Sequence, residues 1–320
     1  MPTTGSRRSP GAALVALTAA VIVAMSGCDG GGTAPSPDGH TTSSREAVPR
    51  AHVLAVKIDN VVPARPQTGL EKADIVYVEQ VEAGLSRILA VYSSQLPPVI
   101  GPVRSARESD LELLRQFDRP TLAYSGSQSK LVPLIKKAPL NAVPHGKAPN
   151  AYFRSGDRAA PHNLYLRPER VLRSVPGTNA AESIGIRFGP PPPGGDPATA
   201  EKVSYPAARF AFTWSADRKQ WLVTMDGTAA RTAEGKPLGA ATVVLQYVTV
   251  RPSRFRDRSG NTTPYTETVG AGGALVLRDG KAYEAGWSRR TAPSGTAFTT
   301  ADGKQMTFAP GQVWIVYVRR

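Results

Sequence analysis

The chain has 320 residues, a single cysteine and a formal net charge of +14 at neutral pH with histidines uncharged. One cysteine excludes an internal disulfide and any Cys-x-x-Cys metal site, so stability has to come from apolar burial, which a chain of this length can supply. The basic excess points to anionic partners, although a general basic bias that serves solubility would produce the same figure.

The first residues set the compartment. Arg7 and Arg8 form a basic start, Gly11 to Met25 an apolar run, and Met25-Ser-Gly-Cys28 brings small residues up to the cysteine. An apolar run of about fifteen residues is short for a bilayer span, which needs roughly twenty, and reads as an export signal. Cys28 stands where a lipoprotein signal peptidase cuts and leaves a thiol for diacylglycerol and palmitate. The stretch resembles a lipobox with Met25 in place of the usual leucine; simple secretion with an unpaired thiol is the alternative. Residues 1–27 are thus expected as signal peptide, which leaves a mature chain lipid-anchored to the outer face of a bacterial cytoplasmic membrane. Such a chain does not meet chromosomal DNA, so anionic lipid headgroups or wall polymers become the expected contacts and no nucleic acid is.

Residues 28–50 are rich in Gly, Ser, Thr and Pro and read as a disordered tether, with His40 a solvated linker residue. An N-terminal domain is expected over 51–187. Its strand candidates are His52 to Ile58, ending in an Asx-type turn at Asp59-Asn60, then Asp74 to Glu79, Leu85 to Tyr92 and Pro120 to Tyr124. Leu111, Leu114 and Phe117 mark a helix over Glu108 to Phe117, and Leu131, Leu134 and Ile135 a shorter one containing Pro133. The four consecutive prolines at 190–193 predict a stiff linker over 188–199. Beyond it the period becomes two: Phe210, Phe212 and Trp214, then Trp221, Val223 and Met225, form a hairpin with one aromatic face. Thr242 to Val250 is a long β-branched run, Asp279-Gly280 and Asp302-Gly303 are hairpin turns, and Trp314 to Val318 is a core strand. The expected fold class is α+β: a mixed α/β N-terminal domain followed by a mainly antiparallel β domain over 200–320.

Several of these segments resemble one family. Asp59-Asn60, Ala64-Arg-Pro-Gln-Thr-Gly-Leu70, Ala73-Asp-Ile-Val-Tyr77, Glu79, Glu82-Ala-Gly84 and Gly101-Pro-Val-Arg-Ser-Ala-Arg107 are similar to the YerB-like lipoproteins, which carry domain of unknown function 3048. Ala160-Pro-His-Asn-Leu-Tyr165 and Pro310-Gly-Gln-Val-Trp314 resemble its later landmarks. Gly84-Leu-Ser-Arg87 departs from the usual Gly-x-Thr-Arg by one hydroxyl swap. The resemblance covers nearly all of the mature chain and implies an exported, usually lipid-anchored bacterial protein in two parts. It carries over no activity.

Charge concentrates between Asp59 and Arg107. Ser105-Ala-Arg-Glu108 fits a capping box ahead of the Leu111 stripe, which would bring Arg104 and Arg107 to a helix N-terminus already positive. Either internal acids or a bound anion must then offset them. The leading expectation is a ligand site for an anionic envelope component made by Arg65, Arg87, Arg104, Ser105, Arg107, Asp74 and Asn163, with Asp59, Glu79 and Glu82 helping to orient the arginines. The competing expectation is a glycan- or phosphodiester-cleaving enzyme with Asp59, Glu79, Glu82 and His162 as catalytic candidates; acids facing arginines are lowered in pKa and make poor proton donors. A third is a scaffold that docks a protein partner through the aromatic β domain. Ser127-x-x-Lys130 has the spacing of a serine-lysine nucleophile pair but lacks the accompanying motifs, and Ser127 serves equally as a helix cap. His52, His145 and His162 are too scattered for a metal motif, so no metal is expected. No dinucleotide or phosphate-loop motif appears, so no cofactor is expected. Arg251 to Arg258 is a basic loop suited to a polyanion or to plain solvation.

Overall fold

The computed structural model describes residues 53–175, 177–257 and 259–320. The expected signal peptide, Cys28, the tether with His40, His52 and Arg258 lie outside the described residues. From residue 53 onward the described chain falls within one compact unit.

Strand β1 (Leu54–Asp59) is buried along its whole length, as its apolar and β-branched run requires. It pairs antiparallel with β3 (Ser86–Tyr92), which pairs antiparallel with β2 (Ile75–Gln80). Helix α1 (Glu108–Leu113) leads to β4 (Thr121–Tyr124), parallel to β1, and α2 (Val132–Lys137) leads to β5 (Asn141–Pro144), parallel to β4. These strands and short helices do not close as a separate α/β domain. The strand Val313–Arg319 lies parallel both to β2 and to the strand Thr242–Val248, and so joins the strands of both sequence halves in one eleven-stranded sheet. The proline-rich segment runs beside that sheet, with Asp196–Pro197 pairing to the strand Lys281–Arg289. The protein is mostly strand with few, short helices.

Side chains alternate across the sheet. One face, with Ala55, Tyr77, Leu89 and Val91, packs under Leu113 and Leu114 of the α1 region and Ile135 of α2. The other, with Val56, Ile58, Val78 and Ile88, packs on Phe210, Phe212, Trp221 and Val223 from a second, five-stranded sheet. The expected aromatic hairpin is present as Ala208–Ser215 and Gln220–Met225, but its aromatic face is core. Val62 and Val132 are the exposed large hydrophobics among the described residues, so that hairpin offers no wide apolar docking surface.

The Asp279-Gly280 turn is as expected. Arg278 pairs with Lys281, and both turn residues have positive φ, as a two-residue turn matched to strand twist demands. A Cβ on Gly280 would also stand 2.8 Å from the Trp214 indole nitrogen.

Candidate functional site

The charged residues of the Asp59 to Arg107 stretch separate into three places. Register explains the first. Arg87 on β3 lies opposite Asp59 on β1 and Glu79 on β2, so all three share the face covered by α1. Lys57, two residues before Asp59, shares that face as well. Its ammonium bonds Glu79 and, at 2.7 Å, Asp110 of α1; Lys57 and Asp110 are fully buried. Burial lowers the Lys57 pKa, but the two carboxylates outweigh it and the net shift is upward. Glu79 is pushed up to about 7 by burial and by Asp110, against the pull of Lys57. Nothing in the sequence reading singled out Lys57; the available signal was a lysine inside an otherwise apolar strand, spaced by two from an aspartate.

The second place is the carboxyl end of β1. The Asp59 carboxylate is fully buried and faces three groups: Arg87 at 3.2 Å, Arg104 Nε at 3.0 Å and His162 Nδ1 at 2.8 Å. The two arginines stand at ion-pair distance without hydrogen-bond alignment, which leaves Asp59 Oδ1, Arg87 Nε and Arg104 Nε without a hydrogen-bond partner. Burial, with Arg107 and Arg104 nearby, brings Arg87 down to about 10 against the attraction of Asp59.

The third place is an open cleft of about 1060 Å³ at the carboxyl ends of the parallel strands β1 and β4. In open α/β arrangements ligands bind at this end of the strands. The segment before α1 is stitched between the two strand ends: Arg104 N–H donates to Lys57 O, Ser125 N–H to Arg104 O, and Ala106 N–H to Gly126 O. That brings the Ser105 and Ser125 hydroxyls to 3.3 Å. Five cationic side chains line the cleft: Arg104, Arg107, Lys130, Arg254 and Arg256. The last two come from the hairpin Val250–Arg256 and Thr262–Thr266, fastened beside α1 by Ser253 Oγ donating to Glu108 at 2.5 Å and Thr266 N–H donating to Ser109 Oγ. The basic loop noted in the sequence therefore faces the same space as Arg104, which no local pattern reveals.

The acids along the cleft are already engaged. Glu82 accepts from Arg107 at 2.7 and 3.0 Å and from Thr263 at 2.6 Å; burial would raise its carboxyl, but these partners hold it below the ordinary value. Glu108 holds Ser253, and Asp257 accepts from the Asn261 backbone and side chain.

Other expected site residues lie elsewhere. Asp74 opens β2 and holds the backbone N–H groups of Ser93 and Ser94 and the Ser94 hydroxyl. It stands five residues before Glu79, roughly 17 Å along an extended strand. Arg65 pairs with Asp226 at 2.8 Å and caps Asn60 O. Asn163 is buried, accepts from Arg154 and donates to Ser155 O, so it holds its own loop. The expected capping box is displaced: α1 starts at Glu108, and Asp110 accepts from the Arg107 N–H at 2.7 Å. Ser105 is free of that role because the chain is still extended there, hydrogen-bonded to the ends of β1 and β4. Ser127 and Lys130 both line the cleft, but the helical turn begins only at Ser129, so they do not share a helix face. Among the described residues no group of three or more His, Cys, Asp or Glu could hold a metal ion. Arg107 holds the Glu82 carboxyl below its ordinary value, and Asp59 and Glu79 are buried against other cations and do not line the cleft.

Fold and site together define a strand-rich protein with a basic cleft at the ends of parallel strands. The chain belongs to the DUF3048 family of proteins of unknown function: the N-terminal domain model of that family matches residues 39–181 and the C-terminal domain model residues 201–315. It is 26% identical over 289 residues to "Putative lipoprotein YerB" of Bacillus subtilis, covering 85% of this chain and 82% of that one. The crystal structure of YerB from the same organism shares the fold, with a TM-score of 0.68 at 23% identity over 83% of this chain and 90% of that one.

Proposed function

We propose that this chain is a lipoprotein, anchored through Cys28 to the outer face of the cytoplasmic membrane, that binds an anionic envelope component in the cleft at the ends of β1 and β4. The observation that carries the reading is the donor balance of the cleft. Five cationic side chains line it against three acids, of which Glu82 is paired with Arg107 while Glu108 and Asp257 are turned to other partners, and Arg104, which meets Asp59 through Nε, keeps 26% of its side chain exposed. The export signal and the Met25-Ser-Gly-Cys28 stretch, together with the name of the Bacillus relative, support the anchor.

The test compares binding of anionic wall polymers and anionic lipid by the wild type and by Arg104→Ala/Lys130→Ala. Neither substitution removes a partner of Glu82 or Glu79, and Asp59 loses Arg104 but keeps Arg87 and His162, so the fold is expected to survive. Affinity should fall at least tenfold, since each charge-assisted hydrogen bond contributes about 1.5–3 kcal/mol; equal binding would overturn the reading. For the anchor, palmitate labelling should vanish in Cys28→Ala, and labelling that persists would refute it.

A further inference from the structure

The cleft carries a finer statement than its charge. The cleft that holds the Ser105 and Ser125 hydroxyls also holds a buried donor with nothing inside the protein to receive it. Gln128 Nε2 is buried at the cleft and has no hydrogen-bond partner, whereas Arg104 Nε already faces the Asp59 carboxylate at 3.0 Å. Among the described residues, no acceptor in the protein takes the backbone N–H of Gly126, Ser127 or Gln128. Buried polar groups are paired in the great majority of cases, so the unpaired buried Gln128 amide at an open cleft, beside half-buried backbone N–H groups that no internal acceptor takes, points to an acceptor brought from outside.

The shape of that acceptor follows from where the donors come from. A carboxylate is planar, and one guanidinium fork satisfies its two oxygens. A phosphodiester carries its charge on two oxygens of a tetrahedral centre and needs donors converging from several directions. Here they come from two chain segments meeting at the ends of β1 and β4: Arg104 and the Ser105 hydroxyl on one, the Ser125 hydroxyl, Gln128 and Lys130 on the other. Mixed guanidinium, ammonium, hydroxyl and backbone N–H donors are the usual means of holding phosphate. The cleft volume also exceeds what a single phosphate fills, leaving Arg254 and Arg256 for further charge along an extended ligand. We infer that the anion held between Arg104–Ser105 and Ser125–Lys130 is the phosphodiester group of an envelope polymer or lipid headgroup, in preference to a carboxylate. This rests on the anion-binding reading above and specifies its ligand.

The experiment uses the full-length chain in detergent and four probes: poly(glycerol phosphate), short-chain phosphatidylglycerol, short-chain phosphatidylcholine and polyglutamate. Titration calorimetry should show poly(glycerol phosphate) or phosphatidylglycerol binding at least tenfold more tightly than polyglutamate at equal charge concentration, and phosphatidylglycerol more tightly than the zwitterionic lipid. Gln128→Ala and Ser105→Ala should each weaken the phosphodiester probe about tenfold with little change for polyglutamate. The tighter of the two phosphodiester probes identifies the source as polymer or headgroup. Equal binding of polyglutamate, or phosphodiester binding untouched in Gln128→Ala and Ser105→Ala, overturns the phosphodiester inference and leaves the anion-binding reading standing. Binding of none of the anionic probes overturns both. Thermal unfolding of each variant at the wild-type temperature confirms that the change is local; should Ser105→Ala unfold, Gln128→Ala, outside the contacts between β1 and β4, decides alone.

Discussion

Lys57→Met removes the one cation that two buried carboxylates share. Methionine matches the aliphatic stem of lysine, so packing between β1 and α1 is nearly conserved and the loss reports charge. Glu79 and Asp110 would remain buried with no ammonium between them. Breaking a buried pair by deleting one partner costs about 3–5 kcal/mol. For a domain near this size each kcal/mol lowers the melting temperature by about 2–4 °C, so the variant should melt roughly 6 to 20 °C below wild type at pH 8. The deficit should shrink at pH 5, where one stranded carboxyl can take a proton. Adding Glu79→Gln should recover part of it at pH 8. Scanning calorimetry at the two pH values provides the measurement. A shift under about 2 °C, or an equal deficit at both pH values, would refute the account of this triad as a mutually dependent charge cluster.

Glu79→Gln alone tests the linkage. Because the folded carboxyl is raised to about 7 from its ordinary 4.5, the folded protein keeps a proton the unfolded chain has lost between those values. The stability this proton contributes is full below about pH 4.5 and lost as pH rises through about 7. Denaturant titrations should therefore show the variant gaining on wild type across that interval, by up to about 3 kcal/mol; parallel pH curves would count against it. Asp59→Asn leaves Arg87 buried without its carboxylate and should cost about 3–5 kcal/mol, read as a lower urea midpoint. An unchanged midpoint would mean that Arg87 finds another partner. Trp314→Ala empties a fully buried site in the strand that joins both sequence halves and should cost about 3–5 kcal/mol. Fluorescence and circular dichroism should report one coincident transition; two separated transitions would show that the halves fold independently.

Strand positions were legible because β1, β2 and β3 are short apolar runs closed by polar residues, and the Asp-Gly turn at 279–280 announces its own geometry. Their assembly was not. Val313 pairs in parallel with Thr242 and also with Ile75, which lies most of the described chain away, and no local period encodes which strands will meet. The proline run at 190–193 falls in the gap between the two family matches, yet strands from either side share one sheet. At the site, Arg104, Arg107 and Glu82 stood out because charge between core strands is costly. Their division into a buried triad, a buried carboxylate cluster and an open cleft depends on register and on which strand end each residue occupies. Ser105 shows the limit: its spacing to Glu108 fits a cap, but Asp110, three residues after Arg107, offers a carboxylate to the first free N–H and prevails.

The strand Val313–Arg319 follows every other described strand in the chain and lies near the middle of the sheet. A chain emerging N-terminus first therefore cannot complete this fold from its early strands. Until the last strand arrives, β2 and Thr242–Val248 each present an open hydrogen-bonding edge, and the strands gathered on either side have nothing to join them. Closure is a late, long-range event, of the kind that slows folding and leaves partly formed sheets open to mispairing. Truncations that remove only these few residues should then behave as loss of the whole architecture rather than as trimming of an end.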